Sequence, residues 1–422
     1  MMPAAPRYSA YAVFTYRDFR LNLAARFLGN TAGMMISVAI GWEAYARTHQ
    51  ARSLGLLGLF QFVPIVLLLL LGGDVADRFD RRRIAYITFG LLAFLSLLLC
   101  VQSRYADTAI WPIYTIVALF ASVRAFVKPA FAAHLRDLVP TPLFGRAVAW
   151  VNSNFEASSI AGPAIGGWIY ACGGSSATVY LTAATCYAVA TILLFMMDTR
   201  AVAPVTSRRS IRTLLAGAAY VWRTKVILGS ISLDLFAVFF GGAVALAPMY
   251  ARDILMVGPT GVGLLRAAPP LGATLTGIIL AFHPPRKHAG AFMLIAVAVF
   301  GAATVVFGLS ENFALSLGAL VVVGASDQVS VFVRNTLVQL ATPREMRGRV
   351  MAINEVFLGT SNELGDLESG LTASWFGAVR AVVFGGIAAV GVALAHAAGF
   401  PELRDPDMLD VKPETGAGQV GT

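Results

Sequence analysis

Apolar runs about as long as a bilayer is thick recur along the whole chain, and no other feature restricts the fold as tightly. Hydrocarbon offers backbone N–H and C=O groups no water to bond, so a crossing segment of this length is a helix. Each crossing needs about 20 apolar residues. Twelve such segments can be read, near 20–46, 54–73, 84–102, 109–130, 145–171, 177–198, 226–250, 259–281, 289–309, 312–334, 349–375 and 377–398. Composition agrees. The 422 residues are 57% hydrophobic and 13% charged, against about 45–50% and about 25% in soluble domains. The expected fold is an all-α integral membrane protein with twelve transmembrane helices in two six-helix halves. The first run is too long for the apolar core of a signal peptide, so it reads as a retained span.

The net charge of +9 does not point to nucleic acid, because no basic patch with interleaved aromatics lies on a polar domain. The basic residues sit instead in the gaps between apolar runs. With the N-terminus inside, the inner gaps hold Arg78, Arg81, Arg82, Arg83, Lys128, Arg136 and Arg146 in the first half. They continue with Arg200, Arg208, Arg209, Arg212, Arg223, Lys225, Arg286, Lys287, Arg344, Arg347 and Arg349. The outer gaps hold only Arg47, Arg52, Arg104, Arg252 and Arg380. Positive charge collects on the cytoplasmic side of membrane proteins, so both termini are expected in the cytoplasm and the chain in a bacterial-type inner membrane.

The longest internal gap follows the sixth segment and divides the chain. The reading is an N-terminal six-helix half over 1–198, a cytoplasmic linker over 199–225, a C-terminal half over 226–398 and a disordered tail over 399–422. An internal repeat supports the division. At an offset of 203, Pro140, Gly145, Arg146, Ala149, Ser158, Gly162 and Gly167 fall on Pro343, Gly348, Arg349, Ala352, Ser361, Gly365 and Gly370. An even number of spans per half makes these parallel repeats, related by an axis along the membrane normal.

Charges inside the spans need a reason, since each costs about 2.5–3.5 kcal/mol at a helix centre. Asp234 lies a third of the way into the seventh segment, Glu156 near the middle of the fifth, and Glu363 in the middle of the eleventh, with Glu355, Asp366 and Glu368 around it. Glu43 stands near the outer end of the first. On a helix Glu355, Asn362 and Asp366 share one face within about 20°, and Glu363 lies about 80° away. A carboxylate held in a low-dielectric span takes up a proton more readily, as proton-coupled transport requires. The competing reading for each is a hydrogen-bonded structural group. Arg26, Arg124, Arg266 and Arg334 are the available counter-ions, with Arg26 and Arg334 expected to snorkel to an interface.

The stretch "GGDVADRFDRRR" after the second segment resembles the signature loop of the major facilitator superfamily. Gly73, Asp77, Arg78, Arg81 and Arg82 match it, and Asp80 replaces its usual second glycine. A second motif of that family, G-P-x-x-G-G in the fifth span, matches at Gly162, Pro163, Gly166 and Gly167. Within the family this motif marks exporters that work by antiport. The segments "SLDLFAVFFGGAVALAPMYARDIL" and "SNELGDLESGLTASWFGAV" are similar to its branch of siderophore and drug exporters. The resemblance implies alternating access and a latch, with Asp77 near the start of the eleventh helix around Arg347 to Met351 and Arg81 bridging to Asp137. On physical grounds alone, Gly162 and Gly166 share a helix face that permits close backbone approach, and Pro163 removes one backbone donor. Tight packing with no role in transport is the alternative reading of this motif.

Other functions lack their residues. There is no phosphate-binding G-x-x-x-x-G-K-[ST] loop, no H-E-x-x-H and no G-x-S-x-G, so no enzyme, cofactor or metal is expected. Cys100, Cys172 and Cys186 suggest no ligand set or disulfide framework and read as small buried residues; the five histidines read as solvated or interfacial. The expected function is proton-coupled efflux of a small amphipathic compound, such as a siderophore or drug, by a monomer whose partners are its substrate, protons and the bilayer. An importer or lipid flippase on the same scaffold is the alternative.

Overall fold

The computed structural model describes residues 9, 11–105, 109–198, 211–285, 288–343 and 345–404; within these, the side chains at 69, 70, 73, 74, 76–78, 128, 133 and 211–215 lie outside the description. Every regular element among the described residues is helical. Six helices come first: α1 (Arg17–Thr48), α2 (Ala51–Arg78), α3 (Arg81–Ser103), α4 (Trp111–Leu138), α5 (Phe144–Gly173) and α6 (Ser176–Phe195). A short α7 (Ile211–Arg223) leads into α8 (Lys225–Phe240). The chain then breaks at Gly241–Gly242 and runs through a 3-10 turn (Ala243–Leu246), a single turn α9 (Ala247–Met249) and a π turn (Tyr250–Ile254). It ends with α10 (Gly258–Phe282), α11 (Ala289–Leu309), α12 (Phe313–Ala341), α13 (Arg347–Phe376) and α14 (Ala378–Gly399).

Eleven of the twelve expected segments fall on one helix each to within a few residues, and the seventh runs from α8 through the break at Gly241–Gly242 to Tyr250. Length and apolarity qualify only 10 of the described helical stretches to cross a membrane. The long helices left out are α5 and α13, which carry Glu156 and the acids between 355 and 368. The polar residues on these two helices lower their apolar content.

Local chemistry sets the helix ends. Asp80 caps α3, its Oδ1 accepting from the Arg82 N–H at 2.9 Å, and Asn312 caps α12 by accepting from the Leu315 N–H at 3.1 Å. Side-chain oxygens at this position satisfy a donor that the first turn leaves open. α5 stops at Gly174, whose φ of +68° is the left-handed conformation that costs glycine nothing.

The helices form two compact units. One comprises Met1–Arg209 with Ala247–Ala267, the other Ser210–Leu246 with Ala268–Thr422. Their internal pairings correspond. In the first, α1 packs on α5 and α6, and α3 on α4 and α6; in the second, α8 packs on α13 and α14, and α11 on α12 and α14. The sequence repeat is visible in this packing. A Cβ on Gly162 of α5 would meet Met34 Cβ at 2.5 Å and the Thr31 carbonyl oxygen of α1 at 3.0 Å. A Cβ on its repeat partner Gly365 of α13 would stand 2.9 and 3.0 Å from the Phe239 and Val238 carbonyl oxygens of α8. The two glycines do the same job at equivalent seams.

The expected linker and the start of the expected disordered tail contain helical structure. Half of the expected linker is α7, whose Val221 is buried with Ile227, Ile231, Val338 and Val350, and whose Tyr220 hydroxyl donates to the Ala341 carbonyl at 2.9 Å. The expected tail begins with a folded turn, Pro401–Arg404. Leu403 is buried beside Leu233, Met293 and Leu337, and Phe400 stacks on His396 at 5.3 Å. Two large apolar side chains outweigh the polar composition that suggested disorder. Residues 405–422 lie outside the described residues.

Candidate functional site

The charged loop between α2 and α3 joins three helices within the first unit. Arg81 at the start of α3 donates to Asp137 Oδ2 at the end of α4, 3.0 Å away, with both side chains mostly buried. Arg82 donates through Nε to the Leu194 carbonyl at 3.1 Å and through Nη2 to the Phe195 carbonyl, with its guanidinium 5.9 Å from the Phe195 ring centroid. Those carbonyls end α6, where no intrahelical donor remains. Asp80, besides capping α3, lies 3.5 Å from Arg83 Nε. The departure from the family pattern at Asp80 thus has a local explanation, since Asp and Gly both serve as N-caps. The side chains of Gly73, Asp77 and Arg78, including the expected contact of Asp77, lie outside the described residues.

The Gly162–Gly167 motif is a packing face. Gly166 lies against the backbone of Met35 on α1, where a Cβ would stand 2.9 Å from Cα. Gly167 lies against α10, where a Cβ would stand 2.7 Å from the Pro259 carbonyl oxygen and 3.0 Å from Gly263 Cα. Gly263 returns the contact, since its own Cβ would stand 2.4 Å from the Pro163 carbonyl oxygen. α5 is thereby held at backbone distance on two sides, by α1 and by the first turns of α10.

The acids divide by environment. Glu43 is 5% exposed, pairs with Arg47 one turn on at 2.5 Å, and accepts from the Tyr180 hydroxyl at 2.7 Å. Glu156 is half-buried on α5. On α13, Glu355 and Asn362 are exposed and Glu363 and Asp366 are half-buried, while Glu368 accepts from Thr372 Oγ1 at 2.8 Å.

Asp234 has the most enclosed setting. It is 2% exposed on α8 and forms an ion pair with Arg334 of α12, also 2% exposed. Ser330, one turn before Arg334, donates to Asp234 Oδ1 at 3.5 Å. A small cavity beside the pair is lined by Asp234, Asp327, Ser326 and Ser330 together with apolar side chains of α8 and α11. The acids of α13 do not line it.

Several expectations are corrected here. Arg334 does not snorkel, because a buried carboxylate lies within its reach. Arg26 also turns inward, donating to Asn22 Oδ1 at 2.9 Å and to the Phe131 carbonyl at 2.7 Å, with its guanidinium 4.5 Å from the Phe131 ring centroid. Two histidines are buried rather than solvated: His134 is 2% exposed, and His396 lies between Ser232 Oγ and the Val392 carbonyl at 3.0 and 2.9 Å. Of the cysteines only Cys100 is buried. The sequence marks Asp327 only as the repeat equivalent of Arg124, a candidate for pairing and not a proton carrier, although Asp327, Ser330 and Arg334 stand at i, i+3 and i+7 and share one helix face.

Comparison with known proteins places these features. The family described as transmembrane secretion effector matches residues 8–416. Curated relatives include the enterobactin exporters of Shigella boydii and of Escherichia coli O157:H7, each 25% identical over 390 residues, covering 92% of this chain and 89% of theirs. Among solved structures, a bacterial homolog of the human lysosomal transporter Spinster, inward-facing and occupied, aligns with a TM-score of 0.72 at 13% identity, over 95% of this chain and 99% of its own. A POT family transporter in complex with 5-aminolevulinic acid aligns at 0.74 and 11% identity, over 92% and 97%. The nucleoside transporter NupG aligns at 0.71 and 14%, over 90% and 99%. At these identities the likeness to solved structures concerns the fold.

Proposed function

This chain belongs to the transmembrane secretion effector family of major facilitator transporters, and from that premise we propose that it exports a small amphipathic compound in exchange for protons. Membership makes it a multi-pass membrane transporter rather than an enzyme. In this reading α5 and α13 also cross the membrane, as the fifth and eleventh of twelve spans. Their seams against α1 and α8 support this, because each packs at backbone distance on a helix apolar enough to cross.

The observation that carries the coupling is the enclosed cluster of Asp234, Asp327 and Arg334 in the second unit. Ionisable groups deep in a span mark ion pathways and proton relays. The α13 stripe of exposed Glu355 and Asn362 with half-buried Asp366 supports an aqueous path, since polar and ionisable groups on a spanning helix are not left against hydrocarbon. Glu156, Glu363 and the Glu43–Arg47 pair are further candidates for lining or gating that path.

Family and relatives support the outward direction. Enterobactin, a siderophore that the relatives' names assign to them, is the first compound to try. The arginine asymmetry supports cytoplasmic termini in an inner membrane. The two six-helix halves would then rock about a midplane site, as a monomer, with the loop from Gly73 to Arg82 as the cytoplasmic gate. The test uses everted membrane vesicles energised to an acid interior. Accumulation of enterobactin that collapses when the pH gradient is dissipated supports antiport. Uptake only into right-side-out cells would make the protein an importer and sink the reading.

A further inference from the structure

Two carboxylates and one guanidinium meet inside the second unit, and their charges do not balance. Asp234 and Arg334 form an ion pair at 2% exposure, which leaves Asp327. It stands two turns before Arg334 on α12 with Ser330 between them, all on one face. Long side chains on a helix lean toward its N-terminus, so the guanidinium is carried back along this face toward Ser330 and Asp327. Asp327 lines the same small cavity as Asp234 and Ser330. The neighbouring helix α11 presents only Val297 and Phe300 there. Asp327 has no hydrogen bond or ion pair of its own among the described residues, while Arg334 keeps Nε and Nη2 buried without an acceptor. A donor group and an acceptor group on one helix face are thus both left open around a cavity.

Asp327 is half-buried and Asp234 buried, so with both acids ionised the cluster would hold one uncompensated negative charge largely out of water. A buried charge in that position neutralises rather than persists. We propose that the cluster holds one proton per chain and that Arg334 decides which acid carries it. With Arg334 on Asp234, as in this conformer, the proton is on Asp327. When Arg334 turns to Asp327, the O–H bond there breaks and one forms on Asp234, while Arg334 stays charged throughout. A metal ion fits less well. Hard divalent cations take about six or more oxygen ligands, whereas this cavity offers one unpaired carboxylate, one paired carboxylate and two serine hydroxyls between apolar walls.

As the coupling group of an exporter the cluster rests on the efflux reading above, but as a protonation site it is testable without transport. The experiment is infrared spectroscopy of the purified full-length protein in lipid nanodiscs near neutral pH. The wild type is expected to show a protonated-carboxyl band that moves in D2O. Asp327→Asn should abolish it, Asp327→Glu should shift it to the frequency of a protonated glutamate, and Asp234→Glu should leave it in place. The glutamate variant keeps the charge pattern, so it decides the question even if the asparagine variant fails to fold. A band that survives Asp327→Asn, or that follows Asp234→Glu instead, overturns the assignment. Loss of the band when sodium replaces choline would assign the site to a metal ion and overturn it too. A wild type with the band and no gradient-driven enterobactin transport refutes the efflux reading and leaves the proton site standing. Coupled transport without the band does the reverse.

Discussion

Gly167 offers the sharpest test of the packing face on α5. An alanine there would place its Cβ 2.7 Å from the Pro259 carbonyl oxygen, 3.0 Å from Gly263 Cα and 3.1 Å from Gly263 N. All three are backbone atoms, so no rotamer change relieves the contact. Unstrained contact begins at about 3.5 Å, so the helices must part by roughly 0.8 Å. Overpacking of this kind costs about 1–3 kcal/mol, while alanine's helix propensity returns about 1 kcal/mol relative to glycine. The expected net loss is therefore about 0–2 kcal/mol. Gly391 is the control. It lies in the interior of α14 with nothing within 4 Å of the added Cβ, so alanine there should stabilise by about 0.5–1 kcal/mol. Thermal unfolding midpoints of the two variants in one detergent should fall on opposite sides of, or clearly bracket, the wild type. Gly167→Ala melting at or above Gly391→Ala would refute the seam. Adding Gly263→Ala to Gly167→Ala should cost less than the sum of the single variants, because both substitutions force apart the same pair of helices.

Three further outcomes follow from single contacts. Asp80→Ala should cost about 1 kcal/mol through loss of the α3 cap, and Asp80→Gly only a few tenths, about 0.3 kcal/mol; equal melting temperatures for the two would show that capping is not what Asp80 does. Arg334→Met leaves the buried Asp234 carboxylate without its counter-ion and should cost about 3–5 kcal/mol, whereas Asp234→Asn leaves Asp327 to face the arginine and should cost less. Equal losses in folded yield and melting temperature would deny Asp327 that role. Tyr180→Phe removes the hydroxyl donor to the buried Glu43 carboxylate and should lower stability by about 1.5–3 kcal/mol; a melting curve superimposable on the wild type would show that Arg47 alone satisfies Glu43.

What the sequence made legible was whatever depends on position along the chain. Apolar runs placed the long helices because crossing hydrocarbon is a matter of length and composition, and the Gly162–Gly365 correspondence was readable because a repeat is itself a sequence property. The Arg81–Asp137 contact came from the family resemblance and is present at 3.0 Å. What stayed hidden depends on which faces meet. Arg334 read as a residue near the end of an apolar run, where snorkelling is the usual account, because hydropathy gives depth and not direction. Its direction was nevertheless encoded. The i, i+3, i+7 spacing of Asp327, Ser330 and Arg334 already declared a polar face on α12, and a polar face buried in a span needs a partner carried by another helix. Asp234, the buried acid of α8, is that partner. Pairing stripes across helices, rather than weighing each acid alone, would have set Asp327 beside Asp234 on the lining of one cavity.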